Sequence, residues 1–454
     1  MRLTILNLTD EAITASLPTK DKYVSEQALL PPSLSTTTHS LKGYRSKLTL
    51  KPSNIDPDED KKWLIHAEGL SIKLSMALGA SWQVVTVPEG CQWRIYISRI
   101  TRKHHKLLIF PRRDMSSFLS EMPDRLPLSS LVLPGTHDTM ALHGWPISQC
   151  QSPSTPLMTQ LNLGIRVLDV RLSIISGRLI SYHGIYPQRT PFKSILADIH
   201  EFLTSPTSSR ETLVMSIKQE DFVKTHPADF SRLVREEIEA SPGGMGMWFL
   251  ENRVPRLGEV RGRVVMFSRF GMNGEGWEGG LEGLGMHPLS WPDSEKWGFS
   301  WQCKETLVRT HDWYAIPSFL AIPEKVALST QILLPPTPQP PMPTLAITYF
   351  SAASFPLAMP PTIAQGFGWP KWGFGVEGVN SRVGRWLLGM LGGGPDLDNF
   401  NVAGEKEKTE GKMEEPRIRG WTLMDYCDHP EESGVVPLLV ECNYRGRKEG
   451  EEGW

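Results

Sequence analysis

Alternating apolar and polar positions characterise the first quarter of the chain. Short runs of this kind at Arg2–Leu8, Lys47–Leu50, Trp82–Val87 and Gln92–Ile97 are typical of half-buried strands, and turns rich in Pro, Gly and Ser separate them. Residues 1–112 are therefore predicted to form a small β-sandwich-like module. Its basic tail, Arg99–Arg113, is interpreted as a solvated linker, with contact to a membrane surface as the alternative.

Near residue 115 the pattern changes, and apolar strand-like runs begin to alternate with helix-like ones. The helix-like runs are Phe192–Leu203 and Phe230–Ile238. The strand-like runs are Leu131–Pro134, Arg166–Leu172, Leu179–His183, Thr212–Ile217, Arg263–Phe267, Thr344–Phe350 and Trp421–Asp425. Alternation of this kind predicts an α/β fold with a parallel barrel over residues 115–445.

Three inserts interrupt the predicted barrel. Residues 270–301 are rich in Gly and Trp, residues 335–343 are rich in Pro, and residues 404–417 are highly charged. The charged insert is predicted to be disordered. The tryptophans of the first insert are interpreted as packing residues, with contact to lipid at the barrel rim as the alternative.

Composition excludes some broad classes of protein. The chain has 454 residues, of which 40% are hydrophobic and 22% charged, and its formal net charge is −2. These are ordinary globular values, and the near-neutral balance argues against nucleic acid as a partner.

The five cysteines are widely spaced without a C-x-x-C pair. They therefore indicate free thiols rather than a zinc cluster or a disulfide framework.

Two segments bear on membranes and export. The N-terminal run MRLTILNLTDEAIT is too short and too interrupted for a secretory signal, so its Asn7-Leu8-Thr9 glycosylation pattern is taken as chance. Residues 326–370 lack charge, but prolines divide them, and their longest proline-free piece, Thr344–Phe355, is shorter than the roughly 20 residues that a span needs. We therefore expect no transmembrane span and a cytoplasmic or peripheral membrane location. The oligomeric state is left open.

Ionisable residues end four successive predicted strands. Each signal alone is weak, because a lone histidine or an Asp-x-Arg pair is more often structural. Together they fall in order within 82 residues, and the carboxyl ends of barrel strands are where catalytic side chains gather. The four motifs are LPGTHDTM with His137 and Asp138, GIRVLDVR with Asp169 and Arg171, SYHG with His183, and LVMSIKQE with Lys218.

Two histidines with an arginine and a lysine indicate phosphoryl chemistry. One imidazole can take a proton from a nucleophile while the other gives a proton to a leaving group. The guanidinium and ammonium groups can stabilise charge on the phosphoryl group between them. The sequence therefore predicts general acid–base catalysis on a phosphodiester.

The four motifs, in this order and spacing, resemble the catalytic X domain of phosphatidylinositol-specific phospholipase C, in its bacterial and single-domain forms. The resemblance implies a distorted (β/α)₈ TIM-type barrel. It also implies an enzyme that cleaves phosphatidylinositol, or a related inositol phospholipid at a membrane surface, to diacylglycerol and a cyclic inositol phosphate. No cofactor is implied.

Residue roles follow from the resemblance. His137 would be the general base that takes the proton of the inositol 2-hydroxyl, and Asp425, in the motif TLMDY, would orient it. His183 would be the general acid, assisted by Asp138. Arg171 would bind a non-bridging phosphate oxygen, with Asp169 orienting that region. The substrate-binding candidates are Lys218, Arg269 in VVMFSRF, and Asp312 and Tyr314 in HDWY.

The residue types also bear on metal dependence. Calcium-dependent relatives resemble S-H-N-T-Y and E-L-D patterns, in which Asn and carboxylates hold a hard cation. This chain has Asp138 in place of that Asn, and Arg171 and Lys218 in place of two acidic ligands. The sequence therefore predicts metal-independent chemistry in which Arg171 supplies the positive charge.

Two alternatives stay open at this point. One is a catalytically silent relative that binds inositol lipids, although a binding module needs no paired acid and base. The other is a different barrel phosphodiesterase, such as a glycerophosphodiesterase, whose early His-Arg-Gly and carboxylate metal cluster are not recognised here. Metal dependence would separate the second alternative from a phospholipase.

Overall fold

The computed structural model describes residues 2–18, 25–32, 35–40, 47–53, 69–74, 76, 80–221, 223–271, 274–369, 374–393, 415–430 and 434–447. Contacts divide the chain into two compact units. One comprises Met1–Arg113, Trp369–Phe374 and Gly384–Pro416, and the other comprises Asp114–Gly368, Gly375–Val383 and Arg417–Trp454. The predicted disorder of the charged insert falls mostly on residues 404–414, which lie outside the described residues.

The N-terminal unit is built from two β-sheets around one apolar core. The first sheet has the order β4-β1-β9-β8-β7 and the second β3-β2-β5-β6. Alternate residues of both sheets, such as Leu3, Ile13, Leu48 and Ile95, point into a common buried cluster. The nine strands are β1 (Arg2–Asn7), β2 (Ile13–Pro18), β3 (Ser25–Leu30), β4 (Ser35–Ser40), β5 (Lys47–Pro52), β6 (Leu70–Lys73), β7 (Trp82–Val85), β8 (Trp93–Thr101) and β9 (His104–Pro111).

Two details of this unit differ from, or extend, the sequence interpretation. The linker interpretation of Arg99–Arg113 is wrong, because β9 lies inside the first sheet between β1 and β8. Its residues Leu107 to Phe110 are buried, so an apolar run outweighed the flanking basic residues. The Asn7 amide is also buried and donates to the carbonyl oxygens of Glu11, Leu30 and Pro31, which explains Asn7 by a structural role.

Eight parallel strands form a curled sheet in the second unit. Their order is β15-β16-β14-β11-β10-β22-β19-β18, and β17 adds an antiparallel edge beside β18. Among the described residues no ladder joins the two ends of this sheet, so the barrel is open. The strands are β10 (Val132–Thr136), β11 (Val167–Ile175), β14 (Leu213–Gln219), β15 (Trp248–Phe249), β16 (Val264–Arg269), β17 (Glu295–Cys303), β18 (Thr306–Asp312), β19 (Thr344–Tyr349) and β22 (Gly420–Met424).

Helices and a hairpin complete the described structure. The predicted helices at 192–203 and 230–238 are confirmed within one to three residues at each end. The helices are α1 (Leu157–Asn162), α2 (Phe192–Thr204), α3 (Pro227–Glu239), α4 (Ile322–Gln331), α5 (Pro360–Gln365), α6 (Val379–Leu391) and α7 (Val435–Glu441), and β20 (Gly366–Trp369) pairs with β21 (Phe374–Glu377). Of these elements, α6, β20 and β21 each have residues in both units. None of the described helices is long and apolar enough to span a bilayer.

One predicted barrel strand has another place in the fold. Residues Leu179–His183 belong to β12 (Arg178–His183), which runs antiparallel to the end of β11 and then pairs with β13 (Tyr186–Pro191). The sequence shows an apolar run but not its direction, so the hairpin was taken for a parallel strand. Two parallel strands were not predicted. They are the two-residue β15 and β18, whose sequence TLVRTHD alternates too weakly to stand out.

Candidate active site

Inward-facing side chains change character along the parallel strands. Near the amino ends these positions hold apolar residues, such as Val167, Val214 and Val265, which pack in the barrel core. Side chains on one face of a strand recur every second residue. Two to four residues further along each strand, the same face therefore holds a different set of side chains, and these are ionisable. Arg171, Lys218 and Arg269 are register partners on the three adjacent strands β11, β14 and β16.

Close packing between strands fixes the position of His137. It follows β10 directly, and its N–H donates to the carbonyl oxygen of Met424. A Cβ atom on Gly135 would lie 2.7 Å from the Cβ of Val167 and 2.8 Å from the carbonyl oxygen of Thr422. Glycine at this position therefore lets β10 fit tightly between its neighbours, and the imidazole emerges at the barrel mouth.

Hydrogen bonding assigns the protonation of His137. Its Nδ1 lies 2.8 Å from Oδ1 of Asp425, and its Nε2 lies 2.8 Å from Nη2 of Arg171. A guanidinium can only donate, so Nε2 accepts and the single proton of the neutral imidazole sits on Nδ1, donated to Asp425. Burial, reinforced by the Arg171 charge, holds the pKa of His137 well below its usual range. His137 is therefore a neutral imidazole with its basic nitrogen facing Arg171.

Three carboxylates surround the Arg171 guanidinium. Its Nε lies 3.1 Å from Oδ2 of Asp169, and its Nη1 lies 3.1 Å from Oδ2 of Asp138 and 3.4 Å from Oε1 of Glu220. Although burial opposes it, the Arg171 and Arg269 charges hold the pKa of Asp169 well below its usual range. The guanidinium is thus rigidly held and points at the basic nitrogen of His137.

A second imidazole approaches from the hairpin. His183 ends β12, so the hairpin returns its side chain to the barrel mouth. Its Nδ1 lies 3.0 Å from the carbonyl oxygen of Ser148, and its Nε2 lies 3.7 Å from Oδ2 of Asp138. The same Asp138 oxygen lies 3.7 Å from Nε2 of His137. Burial raises the pKa of Asp138, which favours the protonated form of this carboxyl group.

A cavity of about 740 Å³ opens beside these groups. His137 and Arg171 line it together with the predicted substrate-binding residues Lys218, Arg269, Asp312 and Tyr314. The rings of His137 and Tyr314 lie 5.3 Å apart. The structure therefore places the four substrate-binding candidates around one space next to the paired histidines.

Sequence reasoning gave no role to two residues of this site, Glu220 and Trp291. Oε1 of Glu220 lies 2.9 Å from Nζ of Lys218 and so links it to Arg171. Its position two residues after Lys218, just past the end of β14, was the available signal. Trp291 donates to Oδ2 of Asp312, and the Arg269 guanidinium lies 4.1 Å from its ring. No sequence pattern pointed to Trp291, because it comes from an insert rather than a strand end.

Metal-capable groups also meet here. Two sets of three side chains have ligand atoms within 4.8 Å of one another, and both include Cys150. One set is His137, Cys150 and Asp425, and the other is Asp138, Cys150 and His183. Neither set resembles the oxygen-only cage of a calcium site.

Comparison with known proteins finds similar sequences and similar folds. No protein-family model matches the chain. The 1-phosphatidylinositol phosphodiesterase of Listeria monocytogenes is 30% identical over 162 residues, which cover 33% of this chain and 48% of that protein. The protein of the same name from Staphylococcus aureus strain Newman is 26% identical over 161 residues, 34% of this chain and 51% of that protein. Over this segment the chain is similar to the 1-phosphatidylinositol phosphodiesterases. It spans about half the length of these curated relatives.

Solved structures show the same fold over more of the chain than these sequence matches cover. A structure of the phosphatidylinositol-specific phospholipase C of S. aureus matches with a TM-score of 0.52 and 18% identity, over 73% of this chain and 98% of that one. A double mutant of that enzyme matches with a TM-score of 0.53 and 17% identity, over 73% and 97%. The predicted distorted parallel barrel is therefore confirmed.

Proposed function

We propose that this protein cleaves phosphatidylinositol, or a related inositol phospholipid, by metal-independent general acid–base catalysis. The observation that carries the proposal is the pair of imidazoles on either side of Asp138, one of them held between Asp425 and Arg171. The names of the curated relatives supply the substrate class. A binding module would have no use for a buried neutral histidine with an orienting carboxylate.

The geometry supports a two-proton reaction. Nε2 of His137 takes the proton of the inositol 2-hydroxyl as that oxygen attacks phosphorus. Arg171 stabilises the negative charge that develops on the non-bridging oxygens. His183, with Asp138, gives a proton to the departing diacylglycerol oxygen as its bond to phosphorus breaks. The products are diacylglycerol and a cyclic inositol phosphodiester. His137 has gained one proton and His183 has lost one.

Charge arrangement supports the absence of a required metal. In a calcium-dependent site, carboxylates would face a hard cation, whereas here Asp138, Asp169 and Glu220 face the guanidinium of Arg171. Arg171 also contacts His137, where the phosphate must come to react. One fixed cation thus supplies both the binding of the phosphate oxygen and the charge stabilisation.

A panel of substrates tests this function. Wild-type protein should release water-soluble inositol phosphate from phosphatidylinositol vesicles in EDTA, and should leave phosphatidylcholine vesicles intact. Soluble glycerophosphodiesters should be poor substrates. Preferential cleavage of those compounds, or activity that appears only with a divalent cation, would favour a glycerophosphodiesterase instead.

Exposed apolar side chains support action at a lipid surface. In the barrel unit, seven such side chains stand 66–86% exposed in loops that follow the carboxyl ends of strands or the β12 hairpin strand. Leu289, one of the seven, also lines the active-site cavity. Apolar groups placed around a cavity mouth suit insertion into a bilayer surface. The seven are Trp145, Ile185, Val223, Leu289, Leu320, Phe355 and Leu357.

These loops, rather than the tryptophan-rich insert as a whole, form the proposed lipid-facing rim. Trp277 is buried, and the rings of Trp291 and Trp301 pack against Phe267. Trp297 alone of the four is strongly exposed. Packing, the first interpretation of this insert, therefore accounts for three of its four tryptophans.

Removing two rim side chains should weaken binding to vesicles. For Ile185→Ser with Leu289→Ser we expect about 10- to 100-fold weaker partitioning to phosphatidylinositol vesicles, since each loses about 1 kcal/mol or more of apolar burial. Co-sedimentation with vesicles measures the effect. Met342→Ser is the matched control, because Met342 is exposed in the loop before β19, at the opposite end of the strands. Equal losses in both proteins would contradict the rim assignment.

A further inference from the structure

A buried thiol lies inside the proposed catalytic centre with no part in the reaction. Cys150 is inaccessible to solvent, and its Sγ lies 3.6 Å from Nδ1 of His183. Backbone hydrogen bonds hold the residue on both sides, from its own N–H to Ala141 and from the N–H of Tyr426 to its carbonyl oxygen. The sulfur is therefore fixed in place among ionisable groups.

Oxygen atoms without hydrogen bonds face the same space. Oδ2 of Asp138 is buried and accepts no aligned hydrogen bond, although Nη1 of Arg171 lies 3.1 Å away. Oδ2 of Asp425 is likewise buried and accepts none. Buried polar atoms normally have partners, so Oδ2 of Asp138 is an oxygen whose hydrogen-bonding capacity a bound cation could satisfy.

We propose that Cys150, His183 and Asp138 form an inhibitory site for a thiophilic divalent cation such as Zn²⁺. Their ligand atoms lie within 4.8 Å of one another. In a tetrahedral zinc site, with bonds of about 2.0–2.3 Å, neighbouring ligand atoms lie about 3.3–3.7 Å apart. Shifts of about 1 Å or less therefore complete three corners, and water supplies the fourth.

The donor set selects the class of cation. A sulfur, an imidazole nitrogen and a carboxylate oxygen suit zinc and its neighbours, whereas calcium and magnesium require oxygen donors. Arg171, Lys218 and Arg269 oppose any cation, and the carboxyl groups that contact them, those of Asp138, Asp169 and Glu220, offset that charge. The entering ion displaces both the thiol proton of Cys150 and the Nε2 proton of His183 to solvent, and it then binds the sulfur and the freed nitrogen.

The set of Cys150, His183 and Asp138 is favoured over the set with His137 and Asp425 because an ion from solvent reaches it more easily. The His183 side chain keeps 15% of its surface exposed, while those of His137 and Asp425 keep 2% and 1%. An ion can therefore reach His183 first, without separating the buried pair. Once bound, it occupies the nitrogen and the carboxylate that the proposed reaction uses to protonate the leaving oxygen, so catalysis stops.

Spectroscopy tests the site without relying on activity. Co²⁺ added to the wild-type protein should give a thiolate-to-metal charge-transfer band in the near ultraviolet. The band should be lost in both Cys150→Ser and Cys150→Ala, and should persist in Cys303→Ser, which removes another buried free thiol. Persistence of the band in both Cys150 variants, or its absence from the wild-type protein, would overturn the proposal.

Inhibition by Zn²⁺ tests whether a cation bound at this site stops catalysis. Each protein's hydrolysis of phosphatidylinositol in Zn²⁺ is compared with its own rate in EDTA, so a variant's basal rate does not matter. The inhibitory Zn²⁺ concentration should rise at least about 10-fold in Cys150→Ser and stay at the wild-type value in Cys303→Ser. Mg²⁺ at the same concentration should not inhibit the wild-type protein. Equal sensitivity of Cys150→Ser and wild type to Zn²⁺ would refute an inhibitory role for this site. Because the cobalt spectrum does not depend on activity, it tests metal binding even if the protein does not cleave phosphatidylinositol.

Discussion

Replacing His137 with alanine is expected to lower kcat on phosphatidylinositol by about 10²–10⁴-fold, with KM nearly unchanged. The reason is that Nε2 of His137, held as an acceptor by Arg171, is the basic nitrogen that removes the proton of the attacking hydroxyl. A base acts in the transition state and contributes little to binding the ground-state lipid.

The control for this variant is another histidine of the same loop. His143 follows β10 six residues after His137, but its side chain is exposed. His143→Ala should keep wild-type kinetics, and circular dichroism should show that both variants are folded. A folded His137→Ala protein with near-normal kcat would remove His137 from the mechanism.

The second large effect is expected at Arg171. Arg171→Ala should lower kcat by about 10²–10³-fold, because this variant loses the guanidinium that contacts both the His137 base and the carboxylates of Asp138, Asp169 and Glu220. Arg171→Lys should recover only part of the rate, since an ammonium lacks the planar fork that matches two phosphate oxygens. Arg178→Ala, on the exposed start of β12, is the control for loss of an arginine.

An acidic replacement at the same position tests the role assigned to the charge. Arg171→Asp places a fourth carboxylate beside Asp138, Asp169 and Glu220, which is a donor set that a hard cation prefers. We expect this variant to be inactive in EDTA and to regain part of its activity in Ca²⁺. Full activity of Arg171→Asp in EDTA would show that the guanidinium does not take the place of a metal.

Much of the site was predictable because its residues end apolar strands. Buried parallel strands are near-continuous apolar runs, and ionisable residues at their carboxyl ends stand out against that background. His137, Asp169, Arg171 and Lys218 were found in this way. Asp425 was found through the resemblance to a family motif, and the structure places it 2.8 Å from His137.

The remaining features depend on tertiary packing that local patterns do not encode. The direction of β12 is set by its hairpin with β11, so the sequence placed His183 correctly at a strand end but in the wrong kind of strand. Cys150 and Trp291 come from loops, where no periodicity marks a functional position. The strand β9 was taken for a linker because its flanking basic residues concealed a short buried run.

The most direct test of the account is to identify the product formed in EDTA. Wild-type protein incubated with phosphatidylinositol vesicles should release a cyclic inositol phosphodiester, detected by ³¹P NMR, at the same rate with and without EDTA. His137→Ala should release at least about 10²-fold less in the same time. Release of only non-cyclic inositol phosphate, or a wild-type rate that vanishes in EDTA, would contradict attack by the 2-hydroxyl with Arg171 as the stabilising cation.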